Sequence, residues 1–186
     1  MPSLLGHAAA GLALNAAFAD GPPPRRTWVL AVVCALAPDV DWFTAFLHLS
    51  RGNAFNHRGA THSLAAAALI AAAAMLLSLR PHLRSTRIWL CMFAAAFSHG
   101  LLDACTLGGV GVEAFLPFSR ARFVCVWQPI RVSPIPLSTG LLGQFLAALW
   151  TEAIWIGVPA LLLVTATRAA RLRVANRWGR ASLENT

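Results

Sequence analysis

The chemistry this sequence can do rests on a small set of side chains: His7, Asp39, Asp41, His57, Arg58, His62, His99, Asp103 and Glu152. Imidazole and carboxylate dominate the set, and no lysine competes with them. That donor combination suits zinc and similar divalent metals. The most regular element is His99-Gly100-Leu101-Leu102-Asp103, where a spacing of four places both side chains on one helical face, a turn apart. There they either reach one ion together or each bond to a neighbouring helix.

Pro38-Asp39-Val40-Asp41 is less helical in character, because a proline disfavours helix for the residue before it. Two carboxylates this close repel unless a cation sits between them or one takes a proton. Asp39 alone would also serve as the cap of a following half-helix. His57-Arg58-Gly59-Ala60-Thr61-His62-Ser63 is the densest block. Imidazoles five apart do not neighbour each other on a regular helix, but a loop bent at Gly59 can aim both inward. Thr61 or Ser63 is placed to cap the helix that follows. The planar fork of Arg58 matches phosphate oxygens; its alternative is pairing with Asp39 or Asp41. His7 is isolated, and a lone histidine in an apolar helix is usually just hydrogen-bonded. Glu152 is a base or supporting candidate, while His48 and His82 read as interfacial.

These residues are embedded in an unusually apolar chain. Of 186 residues, 58% are hydrophobic and 12% charged, against about 45–50% and about 25% in ordinary globular domains. A chain this short cannot hide that much apolar surface in water. Crossing a bilayer core takes about 20 apolar residues in helix, and candidate runs fall at residues 3–19, 28–49, 63–79, 88–107 and 140–166. The expected fold is therefore all-α, a polytopic membrane bundle of about five segments around a polar metal site. Residues 1–167 form the embedded domain and 168–186 a basic cytoplasmic tail. Nothing basic precedes the first apolar run, so that segment is expected to be retained. Pro159 is expected to kink the last one. The proline-rich stretch 108–139 is long enough to predict a lid or binding surface. The four cysteines show no C-x-x-C pairing, which predicts neither a disulfide framework nor a sulfur-rich metal site.

The net charge of +8 comes from 15 arginines. They lie between apolar segments instead of forming one stripe, which argues against a nucleic-acid partner. With five spans, the loops at 20–26 and 80–87 and the tail together carry ten of them, and the opposite side carries five. The richer side is expected to be cytoplasmic. His7, Asp39, Asp41, His57, His62, His99 and Asp103 then all fall in one layer near the outer surface, and this clustering makes them the expected metal ligands. Glu152 lies about 18 Å into the last span at 1.5 Å per residue, deeper than the others. A metal transporter would instead spread polar groups through the bilayer depth. A membrane oxidase or desaturase would need more histidines in short-spaced pairs, and a metal-free scaffold is the remaining rival.

The same blocks, His7, Pro38 to Asp41, His57 to Ser63, and His99 to Asp103 with Thr106, resemble the membrane-bound metal-dependent hydrolases. Bacterial members of that family include LexA-regulated inner-membrane proteins. The resemblance runs over roughly residues 1–120. The family is distantly similar to zinc-dependent phospholipase C and related single-strand nucleases, helical enzymes with clustered zinc ions. The resemblance implies phosphoester hydrolysis in the bacterial inner membrane with two or more zinc ions. In that setting Arg58 would contact phosphate, and Asp39 or Asp41 would accept a proton. Ala148, not histidine, stands four residues before Glu152, where the soluble enzymes carry a second His-x-x-x-Glu pair. The expected substrate is a phospholipid or lipid-linked phosphoester entering from the bilayer. The alternative is a non-enzymatic membrane metal-binding or transport protein.

Overall fold

The computed structural model describes residues 1–19, 21, 23–47, 57–77, 85–134 and 141–184. Arg51, Arg80, Arg84, His48 and His82 lie outside the described residues. The elements, in order, are α1 (Leu4–Phe18), α2 (Arg25–Leu36), α3 (Leu64–Leu77), α4 (Thr86–Ala104), α5 (Leu142–Glu152) and α6 (Val158–Glu184). A π-helical turn, Ala153–Gly157, joins α5 to α6, and the described residues contain no strand, only two isolated β-bridges.

The α2 helix stops where the sequence said it should struggle. It ends at Leu36, and the chain continues as a 3-10 segment, Ala37–Leu47, that carries Pro38, Asp39 and Asp41. The expected span at 28–49 is thus a short helix followed by a tighter one, because proline cannot continue the α-helical ladder. Ser63 settles the start of α3: its Oγ accepts from Ala66 N at 3.1 Å and donates to Ala60 O at 2.7 Å. Among the described residues only Leu142–Ala175 is a helix both long and apolar enough to cross a membrane by itself. Leu4–Phe18 and Leu64–Leu77 are apolar but shorter. The tail begins as a continuation of α6, not as a separate segment, and the Arg171 guanidinium bonds the carbonyls of Ala17 and Ala19 at the end of α1. A cation at a helix C-terminus satisfies orphan carbonyls and complements the dipole.

The core is built from small side chains. Ala31, Cys34, Ala35, Ala67, Ala71, Cys91, Met92, Ala95 and Ala96 pack α2, α3 and α4 together. Leu69, Leu76, Leu77, Trp150, Leu161 and Leu162 are exposed instead. That inverts the water-soluble pattern, in which the large aliphatic residues go inside. It suits a lipid surround, where small residues bring helices close and large ones face the acyl chains.

Residues 105–134 fold as an irregular segment tied down at several points. Thr106 pairs with Ile130 and Val112 with Phe123, and Leu64 N donates to Ala114 O at 2.9 Å. Cys105 and Cys125 form a disulfide, where the sequence led us to expect no disulfide framework. Their separation of 20 residues crosses a loop without periodicity, so spacing alone gave no sign of it.

Candidate metal centre

Antiparallel helices bring four chain segments to one end of the bundle. His7 comes from the second turn of α1, His99 and Asp103 from the end of α4, Asp39 and Asp41 from the segment after α2, and His57 to His62 from the turn before α3. Gly100 allows this assembly. A Cβ there would lie 2.9 Å from His62 O, so only glycine lets the histidine turn sit directly on α4.

Two contiguous ligand-type groups result, His7 with His99 and Asp103, and Asp39 with His57 and His62. His7 and His99 stack with ring centroids 3.7 Å apart. His7 Nε2 lies 3.6 Å from Asp103 Oδ1, and His99 Nε2 lies 3.2 Å from Asp39 Oδ1. His62 Nε2 bridges the two groups, 3.6 Å from Asp103 Oδ2 and 3.9 Å from Asp39 Oδ1. Yet His7 Nε2, His62 Nε2, His99 Nε2, both oxygens of Asp39 and Asp103 Oδ1 are buried without a hydrogen-bond partner, and Asp103 Oδ2 is ion-paired with Arg58.

Three of the four rings are oriented through Nδ1, while His7 Nδ1 has no hydrogen-bond partner. His99 Nδ1 lies 2.7 Å from Ala35 O, a carbonyl that only accepts, so Nδ1 carries the proton and Nε2 turns a lone pair inward. His57 donates from Nδ1 to Asp41 Oδ1 at 2.8 Å. His62 Nδ1 lies 3.2 Å from Asp41 Oδ2, which also accepts from Thr61 Oγ1 at 2.7 Å and Arg58 N at 3.1 Å. Asp41 therefore stands behind the imidazoles and aims them, the arrangement that metal-ligating histidines usually have.

Arg58 is buried and takes the left-handed backbone conformation, φ 67°. Its Nε sits 3.0 Å from Asp103 Oδ2, so its partner is Asp103 and neither Asp39 nor Asp41. A Cβ at Gly109 would overlap the guanidinium, so glycine leaves it room there. Glu152, expected as a base or supporting residue, is engaged at the start of α1. It accepts from Ser3 N at 2.6 Å and Ser3 Oγ at 2.5 Å, pinning the start of α1 on which His7 rides.

Sequence reasoning passed over Glu113. It is buried, pairs with Arg122 at 3.2 Å, and donates its backbone N–H to Arg58 O at 3.0 Å. The available signal was its isolation as the one acidic residue between Asp103 and Glu152.

The YdjM inner membrane protein family matches residues 1–174. The chain belongs to that family. It is 32% identical over 165 residues to inner membrane protein YbcI of Escherichia coli (strain K12), covering 88% of this chain and 95% of that relative. No solved structure matches. The family is one of inner membrane proteins, in keeping with a bundle that turns its leucines outward. Its matched region includes every residue of the His/Asp cluster.

Proposed function

We propose that this chain is a membrane-embedded, metal-dependent phosphoesterase acting on a phospholipid or lipid-linked phosphoester. One observation carries the reading: imidazole and carboxylate atoms from four segments converge, buried and without hydrogen-bond partners. Unpaired buried polar atoms of this kind are costly, and divalent cations bound among them would offset that cost. The donor set fits zinc, and the two contiguous groups have room for two ions. His7, His99 and Asp103 would hold one, and Asp39, His57 and His62 the other. Such ions supply Lewis acidity toward a phosphoryl oxygen and lower the pKa of water.

The remaining work belongs to the chain. Arg58, held at Nε by Asp103, has its terminal amino groups to offer a phosphate. Asp39 would take a proton on whichever oxygen it does not give to the ion. Beside His62 lies an apolar cavity of about 140 Å³ walled by Phe97, Leu101, Phe115 and Phe123, which suits the hydrocarbon part of a lipid. The disulfide at Cys105 and Cys125, at the same end of the bundle, favours an oxidising compartment. Together with the arginine distribution it supports a site facing the periplasm and a polytopic chain.

The test is phosphate or headgroup release from a panel of phospholipids and lipid phosphates, with zinc-loaded and chelated protein. Turnover that appears with zinc and disappears with chelator is expected. Stoichiometric metal with no cleavage of any panel lipid, and zinc flux across vesicles instead, would replace this reading with the transport alternative.

A further inference from the structure

At the opposite end of the bundle, the end of α1 and the starts of α2 and α4 enclose a cavity of about 240 Å³. It shares no residue with the His/Asp cluster. Asn15 lines it, only 4% exposed, and its Nδ2 has no hydrogen-bond partner. An amide donor left unpaired at that depth is unusual in a finished structure and points to something that accepts from it.

The rest of the wall has the same polarity. Arg87 and Ser85 line it at the start of α4, where Ser85 Oγ accepts from Ile88 N and keeps its hydroxyl proton to donate. The α2 helix begins at Arg25 without a side-chain cap. Two helix N-termini, with their positive dipole ends, thus meet at one cavity. No carboxylate occurs among the described lining residues. Phe18, Ile88 and Met92 supply an apolar wall beside these donors.

We propose that this cavity binds a phosphate group, with Asn15 Nδ2 and the Arg87 guanidinium donating to its oxygens. A tetrahedral oxyanion accepts from several directions at once, as donors on three different helices require. A basic pocket between helices at a membrane surface is also where anionic lipid headgroups dock. The phosphate belongs either to such a headgroup or to the free ion.

The experiment follows the thermal midpoint of the purified full chain in neutral detergent. It is titrated separately with inorganic phosphate, short-chain phosphatidylglycerol and, as the phosphate-free control, short-chain diacylglycerol. A saturable rise with phosphatidylglycerol alone identifies the lipid source, and a rise with inorganic phosphate as well identifies the free ion; both support the site. Asn15→Asp, which replaces the donor by a like charge, should weaken the response at least tenfold. Arg87→Gln, at an exposed position that leaves the core intact, should weaken it too. Metal content is unaffected by either change, since the cluster lies at the other end. No saturable response in the unaltered chain, a response equal to that of diacylglycerol, or unchanged affinity in both variants would overturn the proposal.

Discussion

His99 Nε2 and Asp39 Oδ1 lie 3.2 Å apart, both buried, and no hydrogen bond joins them. The proton of His99 is committed to Ala35 O on the other side of the ring. With His99 neutral, two lone pairs face each other across a gap that repels them unless a cation lies between or one of the two takes a proton. Separations of 3.2 to 3.9 Å between imidazole nitrogens and carboxylate oxygens recur through the cluster.

Asp41 aims His57 and His62 from behind, so its removal should loosen the site without emptying it. Asp41→Asn is expected to weaken zinc affinity by about 10–100-fold, the usual effect of losing such an outer partner. Chelator competition on the purified protein measures it. Unchanged affinity would mean that Asp41 does not orient the imidazoles.

Metal binding should be pH-dependent, with a definite sign. Burial alone would lower the His62 pKa, but the Asp103 and Asp41 carboxylates beside it outweigh burial and bring the group to about 9 with no metal bound. A folded value above the ordinary 6.5 means that this proton stabilises the metal-free fold below pH 6.5. The stabilisation is lost as pH rises through about 9. A metal must displace the same proton. Zinc affinity should therefore rise about tenfold per pH unit between about pH 7 and 8 if one proton leaves. A flat profile would contradict His62 as a ligand.

Arg58 tests the phosphate-binding part of the site. Arg58→Lys keeps the charge near Asp103 but loses the planar fork. The variant is expected to retain its metal and lose about tenfold or more in phosphoesterase turnover, which corresponds to about 1.4 kcal/mol. Metal content and turnover measured on one preparation decide it. Unchanged turnover with metal intact would reduce Arg58 to an ion-pair partner of Asp103.

Glu152 should behave as a structural anchor. Glu152→Ala removes two buried bonds to Ser3, each worth about 1.5–3 kcal/mol as a hydrogen bond to a charged group. The melting temperature should drop while metal stoichiometry holds. Lost turnover at an unchanged melting temperature would restore the carboxylate to the chemistry.

How much of this was legible in the sequence follows from which distances the helix fixes. His99 and Asp103 share a face because they are one turn apart on a 19-residue helix, and that could be read directly. The one-ended grouping of His7, Asp39, His62 and His99 followed from antiparallel order. The division of labour between Asp39 and Asp41 could not be read, since it depends on the path of the 3-10 segment after Pro38. That Arg58 pairs with Asp103 could not be read for the same reason: a left-handed residue at the tip of a turn sends its side chain toward α4. Glu152 was placed by depth alone, and depth says nothing about Ser3 reaching it from α1. The disulfide and Glu113 sit in an aperiodic segment, where sequence separation does not convert into distance.

The most direct test of the metal centre is the zinc content of the purified protein beside His99→Ala and Asp103→Ala. Each variant removes one ligand from the first group while leaving α4 helical. The unaltered chain should carry stoichiometric zinc, and both variants should insert in the membrane and carry far less. Stoichiometric zinc retained in both variants, or none bound by the zinc-supplemented unaltered chain, would contradict a metal centre at this cluster.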